Sequence, residues 1–303
     1  MPPPQPLLRK LDGIYYVASG TINITDPLAT FPETYSITGI DMRGVAVLPN
    51  GALTIKPAVK RIASLPGAAL PTGVALSRPK SDYLLVADTF RGLIWNVNIR
   101  YGSVGVALED ATTKVANGLK VWNGSMYWTS TGLGSFFCIP IDERGNVLPG
   151  RTLVLVASNL TCDDSVVDEE GEIYVAGPLD VLTQVTEAGE SEVIASTLNS
   201  TSSALGRPSA AAFGRLISDR WSLYMTTNGG STGVPSTARV SRVDLGQPWT
   251  RWYYTRVSCR SLGFGGGVRY TSSSLLLQTS RLIYYSIARL LLAGAAKTPT
   301  AKS

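Results

Sequence analysis

No histidine occurs among the 303 residues, and that absence removes whole classes of chemistry. Ser-His-Asp and Cys-His nucleophilic catalysis, His-ligated zinc and the usual general base near neutral pH are all excluded. Cysteine is scarce. Cys138, Cys162 and Cys259 stand far apart and are odd in number, which argues against a disulfide framework while leaving one bridge open; buried or inert thiols are the expectation. No apolar run approaches the roughly 18 residues of a membrane-spanning helix, and the opening MPPPQPLLRKLDG lacks the apolar stretch of a signal peptide. No transmembrane segment is expected. Charge is modest, 16% of residues against 44% hydrophobic, so disorder is not the default and a full core can be built. Four N-x-[ST] triplets, at Asn23, Asn123, Asn159 and Asn199, would accept glycans if the chain entered the secretory pathway. Localisation stays open between that pathway and the cytoplasm.

What the sequence does contain is a repeat. Polar-small-apolar segments recur as Thr38-Gly-Ile, Thr72-Gly-Val-Ala-Leu, Asn117-Gly-Leu-Lys-Val, Asp163-Asp-Ser-Val-Val and Ser209-Ala-Ala-Ala-Phe, at successive spacings of 34, 45, 46 and 46 residues. A period near 45 is that of a four-stranded propeller blade. Strand signals follow the anchors in a constant order. YLLVADT and LIWNVNI follow Thr72, SMYWTST and FFCIPID follow Asn117, EIYVAG and LTQVTE follow Asp163, and SLYMTT and ARVSRVDL follow Ser209. These runs are short, rich in β-branched and aromatic residues, and separated by Gly, Asn or Asp turns. TLVLVAS and SEVIAS supply fourth strands for two units, while IYYVAS and INITDP read as middle strands of an earlier, partial unit.

The expected fold is therefore all-β, a six-bladed β-propeller over residues 1–245 with an incomplete first blade. Residues 246–303 are expected to form a basic C-terminal extension, part blade closure and part disordered. From Leu245 to Ser303 there are eight Lys or Arg and no Asp or Glu, so the preceding chain carries the other 19 basic residues against all 22 acidic ones. The net charge of +5 belongs to that tail. Its segment LIYYSIARLLLAGAA is too short to span a bilayer and shows no clear amphipathic pattern, and no nucleic-acid partner is expected.

In a propeller the innermost strand of each blade lines the central channel, so residues at the start of that strand converge on one mouth. Thr38, Thr72, Asn117, Asp163 and Ser209 are the candidates for such a site. A single Asn-Gly reads as a turn pair, but recurrence at blade spacing points Asn117 toward the site instead. Tyr127, Trp128, Phe136, Phe137 and Trp95 are available for an apolar wall, although aromatic residues in sheets more often pack cores.

The segments LPTGVALSRPKSDYLLVADTFRGLIWNVNI, VANGLKVWNGSMYWTSTGLGSFFCIPIDERG, DDSVVDEEGEIYVA and STLNSTSSALGRPSAAAFGR together resemble the gluconolactonase-like (SMP-30) six-bladed propellers, in particular a fungal branch. Hydrolytic members hold a divalent cation with a Glu, two Asn and an Asp. On that resemblance Asn117 matches one Asn and Asp163 the Asp, Thr72 stands where the other Asn would be, and the Glu has no counterpart in this sequence. Calcium and magnesium want about six oxygen ligands including carboxylates, which this set does not supply. The same branch includes hetero-Diels-Alderases, which join a quinone methide derived from a tropolone to an alkene of a cyclic sesquiterpene. The resemblance implies an enzyme of secondary metabolism performing such a cycloaddition without a metal or other cofactor. Asn117, Asp163 and Asp164 are then the catalytic candidates, Thr38, Thr72 and Ser209 the substrate-binding ones. Two alternatives stay open. One is a lactonase or esterase dependent on calcium or zinc, with Asn117 and Asp163 on the metal; the other is a non-catalytic propeller that binds small molecules. A monomer acting on small-molecule substrates is expected in each case.

Overall fold

The structure, a computed structural model, describes residues 13–21, 31–46, 48–186, 189–196, 207–214, 218–227 and 240–245. These form five antiparallel sheets, each a simple meander. The first contains β1 (Ile14–Ser19), β2 (Ser36–Asp41) and β3 (Ala58–Ser64). The second contains β4 (Pro71–Leu76), β5 (Tyr83–Asp88), β6 (Leu93–Asn98) and β7 (Val104–Leu108). In the third are β8 (Ala116–Trp122), β9 (Ser125–Ser130), β10 (Ser135–Pro140) and β11 (Val154–Ala157). β12 (Ser165–Val167), β13 (Ile173–Gly177), β14 (Val181–Val185) and β15 (Ser191–Ser196) make the fourth, and β16 (Pro208–Phe213), β17 (Ser222–Thr227) and β18 (Val240–Asp244) the fifth.

The arrangement is an all-β propeller. Alternate residues of a strand point to opposite faces, and here each face of a sheet meets a neighbouring sheet. Val74, Leu76, Leu84 and Val86 pack on Tyr16, Tyr35 and Ile37 of the first sheet, whereas the intervening Ala75, Leu85 and Ala87 pack on Leu119, Met126 and Trp128 of the third. Tyr127, Phe136 and Cys138 turn the other way, onto Ile173, Val175 and Val185. Val166, Tyr174 and Leu182 then meet Ala211, Leu223 and Met225. Four apolar clusters thus fill the four seams between successive sheets. Double-sided burial explains why the inner and middle strands read as continuous apolar runs rather than as alternating ones. No helix among the described residues is long and apolar enough to cross a membrane.

Among the described residues the blades number five, not six. Ile14–Ser19 and the Thr38 segment, expected in two different units, are neighbours in one sheet, with Val17 opposite Thr38. The short spacing of 34 residues between Thr38 and Thr72 reflects this: Thr38 lies on a middle strand, Thr72 on an inner one. The INITDP run, expected as a strand, lies outside the described residues, as does the whole of 246–303 with its proposed blade closure. β3 and β7, not expected from the sequence, are outer strands with several exposed positions.

Candidate functional site

Each inner strand begins with the same irregularity. The ladder between β4 and β5 shifts register between Pro71 and Gly73, which leaves Thr72 as the extra residue. Between β8 and β9 the shift spans Ala116 to Leu119, taking in Asn117 and Gly118, and between β16 and β17 it falls between Pro208 and Ala210, at Ser209. Just ahead of β12 the pattern recurs: Asp163 N donates to Ala176 O at 2.8 Å, and Ala176 N donates to Asp164 O at 2.8 Å, so two residues oppose one. A β-bulge re-aims a side chain that a regular ladder would bury in the sheet, and bulges gather beside functional sites. Four bulges at one register place Thr72, Asn117, Asp163 and Ser209 at the same end of four consecutive sheets.

Hydrogen bonds tie this row together from sheet to sheet. Thr72 Oγ1 donates to Asn117 O at 3.2 Å, and Gly118 N donates to Asp163 O at 3.2 Å. Thr129 at the end of β9 accepts from Gly118 N at 2.7 Å and donates to Asp163 O. Arg207, two residues before Ser209, donates its N–H to the Asp180 carboxylate of the fourth sheet. Within the sheets, Thr89 and Thr131 occupy equivalent positions after the second strand. Each donates its N–H to the carbonyl two residues before the anchor, Leu70 and Val115, and each contacts that anchor. Thr72 Oγ1 lies 2.7 Å from Thr89 Oγ1, and Asn117 Nδ2 donates to Thr131 Oγ1 at 3.3 Å. Asp88 of the Ala-Asp-Thr segment is fully buried and accepts from Ala69 N at 3.0 Å, Leu70 N at 2.8 Å, Arg91 N at 3.2 Å and Trp95 Nε1 at 3.1 Å. It fixes the approach to Thr72.

Three sequence expectations change. Thr38 is not part of the row; it sits on β2 with its hydroxyl 3.4 Å from that of Ser19, because β1 and β2 are adjacent strands. Asp164, grouped with the catalytic candidates, turns into the seam between the third and fourth sheets and pairs with Lys120 Nζ at 2.8 Å, both side chains almost fully buried. It also accepts from Ser165 N at 2.8 Å. A carboxylate so committed is structural, since breaking a buried pair leaves an uncompensated charge. Ser209 keeps its register, but its hydroxyl is buried and lies 3.2 Å from Thr226 Oγ1 within its own sheet. The aromatic candidates for an apolar wall, Tyr127, Trp128, Phe136, Phe137 and Trp95, are all buried in the seams.

Sequence reasoning missed Lys120 and the threonines Thr89, Thr129 and Thr131. Lys120 carries a visible signal, a lone charge inside the buried run ANGLKVW. The half-buried Asp163 and Asn117 are left as the polar groups of the row with most chemical range. Cys162, next to Asp163, is no nucleophile: burial first, then the Asp163 charge, pushes its thiol up to about 12. Cys138 is also buried, and Cys259 lies outside the described residues. Among the described residues, no three of Cys, Asp and Glu converge as metal ligands would. With Asp164 held by Lys120 and Thr72 bonded to Thr89, Asp163 brings the one carboxylate among the positions that the resemblance assigns to a cation, a set that does not fit a hard divalent ion.

No protein-family profile matches the chain. A search of curated proteins finds a protein of Phoma sp. named "Putative hetero-Diels-Alderase", 26% identical over 202 residues that cover 58% of this chain and 57% of the relative. The chain thus spans little more than half the length of that relative. Among solved structures, the nidogen/laminin complex aligns with a TM-score of 0.54 at 13% identity, covering 78% of this chain and 76% of that one. A calcium-binding regucalcin from Agrobacterium tumefaciens aligns at 0.44 and 16% identity, covering 70% and 68%. A luciferin-regenerating enzyme aligns at 0.48 and 15%, covering 71% and 75%. The first of the three structures bears on the fold alone, and the curated relative bears out the family resemblance drawn from the sequence.

Proposed function

We propose that the protein is a biosynthetic enzyme that catalyses a hetero-Diels-Alder cycloaddition between a quinone methide and an alkene of a cyclic hydrocarbon, at the channel mouth ringed by Thr72, Asn117 and Asp163. The observation that carries the reading is the row of four bulges, which sets hydrogen-bonding groups of different sheets side by side without a nucleophile. The name of the Phoma relative and the lack of histidine support it. A cycloaddition needs neither covalent catalysis nor a metal. Holding two reactants in a near-attack pose can remove up to about 7–11 kcal/mol of barrier. The Asn117 amide donates to the heterodiene oxygen as charge develops there, and the Asp163 carboxyl serves in acid-base loss of water from the precursor of the quinone methide. Asp164 acts only through Lys120, as part of the frame.

The test is incubation with a quinone methide precursor and a humulene-like alkene, with product followed for rate and stereochemistry. Faster formation of one stereoisomer is expected. Identical racemic product with and without protein sinks the reading. The alternative of a metal-dependent lactonase is weaker because its ligand set is incomplete; activity toward lactones restored by calcium and abolished by a chelator would reinstate it.

A further inference from the structure

The buried aromatic residues leave the apolar reactant without a wall, yet the same face of the propeller carries one. The chain enters each inner strand at the anchor end, and the second strand returns to that end, so the turn between second and third strands lies on the mouth face. Three such turns present a large apolar side chain to solvent at their tips. They are Phe90 between β5 and β6, Leu133 between β9 and β10, and Leu179 between β13 and β14, exposed by 38%, 53% and 58%. The longer connection between β1 and β2 adds Phe31, exposed by 44%. Each tip is adjacent to an anchor through its own turn. Phe90 follows Thr89, which touches Thr72. Leu133 follows two residues after Thr131, which touches Asn117. Leu179 sits two residues after Gly177, against whose position the backbone of Thr161, just ahead of Asp163, is packed.

The remaining exposed apolar residues behave differently. Val59, Val106, Leu155, Val193 and Val240 occur once per sheet on β3, β7, β11, β15 and β18, the outermost described strands, and so are spread singly around the periphery, as is normal for a protein surface; Leu48 and Ile55 lie between β2 and β3 and Tyr101 between β6 and β7, connections at the opposite ends of their sheets. Apolar tips on successive turns of one face, next to a polar row, are the arrangement expected of a site that takes a ligand with one oxygenated part and one hydrocarbon part.

We propose that Phe90, Leu133 and Leu179 form a collar that seats the hydrocarbon reactant over the polar row and sets specificity for it, an inference that rests on the cycloaddition reading for its substrate class. Phe90→Ser, Leu133→Ser and Leu179→Ser are combined in one variant; these are surface positions, so the fold is retained. A control variant combines Val106→Ser, Leu155→Ser and Val193→Ser. Binding is measured calorimetrically with humulene as the hydrocarbon probe and tropolone as the polar one. The collar variant is expected to bind humulene about tenfold more weakly or worse, because the area removed is apolar surface taken out of water on binding, with tropolone affinity changed less than about twofold. The control variant keeps both affinities. Unchanged humulene affinity, equal loss of both ligands, equal loss in the control, or no humulene binding by the unmodified protein overturns the collar. Association with neutral phosphatidylcholine vesicles that the collar variant loses while keeping humulene affinity also overturns it, in favour of a membrane surface. Humulene binding that depends on the collar in a protein that forms no cycloadduct sustains the collar and sinks the proposed reaction.

Discussion

The two ends of β12 bury a carboxylate each, and the two are stabilised in opposite ways. At the mouth end Asp164 meets a cation, Lys120, across the seam. At the far end no cation among the described residues pairs with Asp168; it accepts from Glu170 N at 3.0 Å, Glu172 N at 2.8 Å and Tyr174 Oη at 3.3 Å, and burial, followed by the Glu170 charge, pushes it up to about 7. The mouth end thus keeps a fixed charge pair behind the site, while the far end carries a group that titrates near neutrality. The difference teaches that the buried carboxylate nearest the row of bulges is held from the neighbouring sheet, and the one farthest from it by its own loop and sheet.

The largest effect that would break this contrast is expected from Lys120→Met. It leaves Asp164 buried without its partner and should lower stability by about 3–5 kcal/mol, read as a shift in the urea midpoint. Adding Asp164→Leu should recover most of the loss, and failure to do so would show the pair to be more than a charge balance. Next comes Asp168. Its raised value means that the folded state binds a proton the unfolded state has released, so stability is full below about pH 4 and falls as pH rises toward about 7. The fall is of order 4 kcal/mol. Asp168→Asn should flatten that slope in a pH series of unfolding curves.

Two smaller tests sharpen the picture at the mouth. Asp163→Asn should lower cycloaddition about hundredfold while leaving the unfolding midpoint nearly unmoved, in contrast to Lys120→Met. Thr129→Val keeps shape but strips Gly118 N of a partner, and should cost about 1–2 kcal/mol. Equal effects on activity and stability from Asp163→Asn would place that residue in the frame with Asp164.

Much of this was legible in the sequence. The spacing of Thr72, Asn117, Asp163 and Ser209 found four inner strands, because a blade of fixed size must recur at a fixed interval. Thr38-Gly-Ile imitates Thr72-Gly-Val in local chemistry, and only the partner strand distinguishes a middle from an inner position; hence the miscount of blades. The bulges could not be read, since an extra residue in a ladder is a relation between two strands. The pairing of Asp164 with Lys120 was hidden for a similar reason. Its partner lies 44 residues away on another sheet, and nothing in Asp163-Asp164 says which carboxylate faces the mouth. Outer strands such as β7 were missed because, with one edge in solvent, they lack the continuous apolar runs of the inner ones.

The Asp163 carbonyl receives both Gly118 N and Thr129 Oγ1, so the third and fourth sheets share a joint at the mouth. A molecule bound against Asn117 on one side of that joint restrains Asp163 on the other. On the cycloaddition proposed above, whichever reactant arrives first would stiffen the berth of the second, and the two occupancies should be thermodynamically linked rather than independent.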